Sequence, residues 1–263
     1  MMINDIDLIY HNIRSVPQVL RARGWRLYTQ KGRLIVLWQY GGRAILGHNP
    51  PGLLRAIKNS AERGIYAPHP HFAGDRFCKA LAVLLPGRVF RVYESEAFLN
   101  QTVSQVQLEP VLWRPYLDKE TQNSLQAEPA LLPILPFPFP GTPAVLAIDA
   151  EKATVLEKLP PSQLLSPVAL AAAARCIYDL IANPKRGNPH FQKIEKVVKK
   201  SAVWKRQGIY LYYTGTSKNY DELFQHFLES GFLLPPMPEE PVILPGELSP
   251  GEEAKLARLL LEE

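Results

Sequence analysis

Apolar residues over 5–23 recur at helical spacing, Ile6, Ile9 and Ile13 and then Val19 and Leu20, which predicts one amphipathic helix interrupted at Pro17. The pattern then changes. Residues 25–28 and 33–40 read as two short strands with Gly32 in the turn between them, a hairpin ended by Gly41 and Gly42. Over 52–63, Leu53, Leu54, Ile57 and Ala61 form a helical stripe closed by Gly64. A second helix over 75–85 carries Phe77, Leu81, Leu84 and Leu85 until Pro86 and Gly87 stop it, and a strand over 89–92 and a helix over 95–103 follow.

From 105 to 160 the regular signals thin out, leaving an apolar run at 108–113 and a polar one at 118–128. The stretch 129–143, PALLPILPFPFPGTP, has six prolines in fifteen residues. Each fixes φ and removes a backbone donor, which argues against a helix or an interior strand and for an extended, polyproline-like path. Such a segment is expected to cover or terminate a sheet, since it offers no pairing edge. It holds no Lys, His, Cys, Asp or Glu, so it supplies no nucleophile, base or metal ligand. A strand over 144–148 follows. Ser166 as N-cap and Pro167 at the first helical position open VALAAAARCIYDLIA, the strongest helix signal in the chain, which breaks over 183–189. Then come a basic amphipathic helix over 191–202, a strand over 209–213, a helix over 220–230 ended by Gly231, and strand-like runs at 232–234 and 241–244. Ser249, Pro250 and Glu252 have the spacing of a capping box before a terminal helix over 249–263. Strand–helix alternation points to an α/β fold with an α+β part from about 184.

Composition narrows the function. The chain is 46% apolar and 21% charged, ordinary for a globular protein, and its +5 charge is spread along the sequence without the clustered face that nucleic acid demands. Cys78 and Cys176 lie far apart in helical context and read as buried thiols of a reducing compartment, neither a disulfide framework nor a metal site. The first residues lack the basic and apolar regions of a secretory leader, and no apolar run approaches bilayer length, so a cytoplasmic protein is expected. His69 and His71 are spaced to face one side of an extended segment, but with no third ligand nearby they read as loop packing and no metal is expected. Lys193, Lys196, Lys199 and Lys200 form a solvated helix face, and Trp204, Tyr210, Tyr212 and Tyr213 belong to a sheet beside it.

Residues 41–64, GGRAILGHNPPGLLRAIKNSAERG, closely resemble the "lGHnhPeVveAik" segment of class III aminotransferases, the group that includes glutamate-1-semialdehyde aminomutase. RFCKALAVLLPG at 76–87 resembles the family helix ending in "LLPG", and VFRVYESEA at 89–97 resembles "vFFtNSGsEA". LLSPVALAAAARCIYDLIAN at 164–183 is similar to "sGNPlalAAalAvLdli", and the run from GFLL at 231 resembles the closing family segment. The resemblance implies fold-type I of the pyridoxal-phosphate enzymes, with a mostly parallel large-domain sheet and a small domain built from both chain ends, assembled as a homodimer. It also implies that this chain is a shortened version, with length missing between Val103 and Pro129.

The family cofactor is held as a Schiff base by a lysine that also shuttles protons. That lysine precedes a "GGGlPlgA" turn, which GTPAVL at 141–146 matches best, so the resemblance puts Pro136 at the lysine position. No lysine lies between Lys119 and Lys152; an active enzyme would need Lys152 or Lys158 as a substitute. The family's Ser-Gly phosphate turn is here Tyr93-Glu94, which places a bulky acid where close backbone approach is required. Ser95 and Glu96 match the family's following Ser-Glu, although a serine at a helix start also serves as an N-cap. Ser162 falls near a family threonine that reaches the phosphate across the dimer, and Asp118 near the aspartate that pairs with the pyridinium nitrogen; both also read as solvated loop residues.

The expectation is therefore a fold-type I-like α/β protein with a shortened large-domain sheet and a small α+β domain. Its parts are an N-terminal segment at 1–45 packing with the small domain, a reduced large domain at 46–183 and a C-terminal domain at 184–263. A degenerate, dimeric binding or structural protein without bound cofactor is expected, with vestigial positions at Ser95, Glu96, Asp118 and Ser162. The alternatives are an active pyridoxal-phosphate aminotransferase or aminomutase, or a small-molecule binder using the vacated cleft.

Overall fold

The computed structural model describes residues 5–139, 141–216 and 220–262, with side chains from Ile9 onward. Ile6's side chain, Pro140 and Glu263 lie outside the described residues. The chain divides into two compact units, Met1–Asn49 with Lys185–Glu263, and Pro50–Pro184.

The unit built from both chain ends begins with α1 (Asp5–Ser15) and three antiparallel strands, β1 (Val19–Arg23), β2 (Arg26–Thr29) and β3 (Gly32–Val36). The helix expected over 5–23 thus stops at Ser15. Val19 and Leu20 are not its continuation, because Pro17 ends the helical path and Val19–Arg23 pairs with β2 from Val19↔Thr29 to Arg23↔Arg26. The hairpin around Gly32 forms where it is expected. From the other end of the chain come α7 (Gln192–Val198), β8 (Trp204–Gln207), β9 (Tyr210–Tyr213), α8 (Tyr220–Glu229), β10 (Phe232–Leu233), β11 (Val242–Ile243) and α9 (Pro250–Leu259). The basic helix is shorter than its pattern, since Lys199 is already its C-cap. β10 joins β3 in parallel, Phe232↔Ile35 and Leu233↔Val36, and β11-β9-β8 form a second sheet. Gln39 donates to the Ile243 carbonyl at 2.8 Å, and the Ile243 amide donates to the Leu37 carbonyl at 2.7 Å.

The contiguous unit contains α2 (Leu53–Ala61), α3 (Phe72–Leu84), β4 (Arg88–Tyr93), α4 (Glu96–Gln105), β5 (Val111–Trp113), α5 (Lys119–Gln126), β6 (Ala130–Pro133), β7 (Ala144–Asp149) and α6 (Pro167–Ile181). Its sheet runs β4-β7-β6-β5, with β7 antiparallel to both neighbours and β5 parallel to β6, so among the described residues the mostly parallel sheet that the resemblance implies is replaced by a mostly antiparallel one. Alternation along the strands divides the core. Val92 and Val145 face α2, α3 and α6, whereas Tyr93, Leu146 and Ile148 face α4, so helices cover both sheet faces.

β6 corrects the reading of the proline stretch. Ala130, Leu131 and Leu132 form an interior strand, pairing with β7 on one side and β5 on the other. Prolines stand only at its margins, Pro129 before it and Pro133 as its last residue, so the ladder keeps its donors. The edges are β4 and β5 instead, and on β5 Val111 and Leu112 are 36% and 45% exposed. Two smaller corrections concern single residues. Cys78 lies on the exposed face of α3, while Cys176 is buried. Ser166 occupies the N-cap position of α6 but its hydroxyl makes no capping bond.

Candidate functional site

β4 ends at Tyr93, and the chain turns through Glu94 and Ser95 into α4. The Ser95 side chain accepts from the Phe98 amide at 3.2 Å, the geometry of an N-cap. Glu96 follows in the first turn, where a carboxylate suits the positive end of the helix. Ser162 is brought to the same place: its hydroxyl accepts from the Val92 amide at 3.1 Å, three residues before Ser95. The next residue, Gln163, accepts from the Glu94 amide through its side chain at 2.8 Å and donates from its own amide to the Val92 carbonyl at 2.9 Å. Tyr93, fully buried, donates its hydroxyl to the Pro160 carbonyl at 3.0 Å. The segment 160–163 therefore runs along the end of β4 and engages the amides of Val92 and Glu94. Gln163 and the Tyr93 hydroxyl had no sequence signal, because loop residues without periodicity reveal their partners only once the strands are placed.

Three of the four residues that the resemblance implies, Ser95, Glu96 and Ser162, thus meet at one strand end. Asp118 does not join them through any described contact. It caps α5, accepting from the Thr121 amide at 2.9 Å and the Thr121 hydroxyl at 3.0 Å. The Thr121 amide holds its carboxyl below the usual carboxylate range.

The loop between β6 and β7 occupies the expected lysine position. Pro136 is buried between Leu135 and Phe137, each 2% exposed and packed into the core with Val145, Ala172 and Ala173. The Phe137 and Phe139 rings stack at 5.5 Å, and the Thr142 hydroxyl lies 3.1 Å from the Phe137 carbonyl and 2.7 Å from that of Phe139. Lys152 and Lys158 are exposed on 3-10 turns over Ala150–Lys158, and Lys152 has a non-helical backbone.

The other candidate histidines are structural. His48 Nδ1 lies 2.8 Å from the Gly24 carbonyl, and burial holds its pKa low. Gly47 before it has φ +91, and a Cβ there would meet the Gly24 backbone at 3.0 Å, so this turn requires glycine. His71 caps α3 by accepting from the Ala73 amide at 3.1 Å. Among the described residues, no three His, Cys, Asp or Glu side chains are placed to hold a metal, and no helix is long and apolar enough to cross a membrane. A cleft of about 780 Å3 opens elsewhere in this unit, between Arg88, Trp113, Tyr116, Leu125 and Asp149, and none of the implied site residues lines it.

Solved aminotransferases share this architecture. The chain resembles ornithine aminotransferase from Plasmodium yoelii with a TM-score of 0.70 at 10% identity, covering 98% of each chain. It resembles an omega-transaminase from Sphaerobacter thermophilus at 0.65 and 11%, over 98% of this chain and 96% of that one. It also resembles an acetylornithine aminotransferase from Elizabethkingia anophelis at 0.59 and 12%, over 98% of both. The fold is that of these enzymes, the α/β architecture of fold-type I pyridoxal-phosphate proteins. No family model matches the chain. Among curated proteins, an uncharacterized protein of Treponema pallidum (strain Nichols) is 26% identical over 89% of this chain and 90% of its own length. A second, from Borreliella burgdorferi, is 36% identical over 25% of the chain.

Proposed function

We propose that this chain keeps the aminotransferase fold without amino-transfer chemistry, and acts as a homodimeric binding or structural protein. The carrying observation is the β6–β7 loop, where a buried proline between two core side chains stands at the position the resemblance assigns to the cofactor lysine. The residues at the end of β4 do not fit pyridoxal phosphate either. Glu94 stands where the resemblance requires glycine, and its amide is already bonded to Gln163. A carboxylate there repels a phosphate dianion.

The test is incubation of the purified protein with pyridoxal phosphate, borohydride reduction and peptide mapping by mass spectrometry. No stoichiometric pyridoxyl-lysine is expected. A modified Lys152 or Lys158 at one per chain would sink the reading in favour of a working enzyme with a relocated lysine. For the dimer, sedimentation equilibrium should return twice the 29.6 kDa chain mass, and a monodisperse monomer would contradict it.

A further inference from the structure

On the helical face of the contiguous unit, α2, α3 and α6 enclose a cleft of about 380 Å3. Four arginines line it, Arg55 and Arg63 of or just beyond α2, Arg76 of α3 and Arg175 of α6, and no carboxylate is on its wall. Arg175 pairs with Asp179 one turn on, while Arg63 lies over the Phe72 ring with its guanidinium 4.9 Å from the centroid. Arg55 and Arg76 have no ion-pair partner among the described residues. All four are exposed, so water screens their mutual repulsion, and together they give the concavity a positive potential that attracts anions.

Gly52 lies beside the Arg175 side chain. Its φ of −91° suits any residue. A Cβ there would stand 2.0 Å from Arg175 Nε and 2.7 Å from its Cζ, so a larger residue would turn that exposed side chain aside. The bare position lets the Arg175 guanidinium lie directly over the N-terminal end of α2, which also has no capping side chain. Helix end and guanidinium therefore present donors to the same cleft.

We propose that this cleft binds a phosphate group, free or carried on a small metabolite. Three guanidiniums beyond the Arg175–Asp179 pair, together with a helix N-terminus, call for a compact dianion more than a monocarboxylate. The site shares no residue with the strand end and proline loop discussed above, so it stands whether or not the cofactor reading holds.

The full-length protein would be titrated calorimetrically at constant ionic strength with inorganic phosphate, adenosine monophosphate, glucose 6-phosphate and citrate. Saturable binding of at least one phosphate probe is expected, and comparison of free phosphate with the two esters identifies which source the cleft prefers. Arg76→Gln and Arg63→Gln should each weaken binding about tenfold, the loss of one charge-assisted hydrogen bond. Gly52→Ala, which turns Arg175 aside and leaves Arg55, Arg63 and Arg76 unchanged, should weaken it as well. Circular dichroism would show that each variant is folded. Absence of saturable binding, affinity unchanged in all three folded variants, or tighter binding of citrate than of any phosphate would each overturn the proposal. So would a change in oligomeric mass in the variants without a change in phosphate affinity, which would make the cluster an assembly contact.

Discussion

The Glu252 carboxylate receives the Arg26 guanidinium at 2.9 Å, Arg33 at 2.9 Å and the Ser249 amide at 2.8 Å. Burial alone would push its pKa up, but the Arg26 bonds and the Ser249 amide outweigh that and hold it at about 2. Because this lies below the ordinary 4.5, the contribution to stability is full above about pH 4.5 and is lost as pH falls toward 2. Glu252→Gln should therefore cost about 1–2 kcal/mol at pH 7 in urea unfolding, and the difference from the parent should shrink by pH 3. An unchanged difference across that range would refute the assignment. The capping half of this arrangement was legible, because Ser249 and Glu252 have the spacing of a box. The arginines were not: they come from more than 200 residues away, and nothing local to Glu252 announces them.

Among the elements, periodic helices and the hairpin were readable, while β6 was masked by its neighbours. Proline content suggested a segment unable to pair, but three consecutive non-proline residues suffice for an interior rung when the prolines fall at the ends. The loop after it then works as a plug. Phe137→Ala should destabilise by about 3–4 kcal/mol, the usual result of emptying a packed aromatic site, as measured by chemical denaturation. Asp118 separates two readings at this scale. If it only caps α5, Asp118→Ser should retain most of the stability and Asp118→Ala lose about 1 kcal/mol, with no effect of added pyridoxal phosphate on either. The candidate site was half legible for the same reason: Ser95 and Glu96 sit in a recognisable run, whereas Gln163 reaches the neighbouring Glu94 amide through tertiary register.

At the scale of the whole molecule, each unit has buried contacts of its own. Arg186, buried, donates to the Ile45 carbonyl at 2.9 Å, the Leu244 carbonyl at 2.6 Å and the Gln39 side chain at 3.2 Å, all within the unit formed by the chain ends. Arg186→Met should cost about 3 kcal/mol, since it strips donors from buried carbonyls. The Phe137 contacts belong to the other unit. Combined, Arg186→Met and Phe137→Ala should add within about 0.5 kcal/mol in urea unfolding, and a larger departure would mean the units are energetically coupled.

The parallel pairing of β3 with β10 has a consequence during synthesis. Ile35 and Val36 find Phe232 and Leu233 only after the whole of the other unit, residues 50–184, has been made. Residues 50–184 are contiguous and can collapse as they emerge, while the hairpin of β2 and β3 waits with one sheet margin unpaired. Nascent chains stalled before residue 230 should accordingly recruit chaperones at that margin, and release should come once β10 is free to pair.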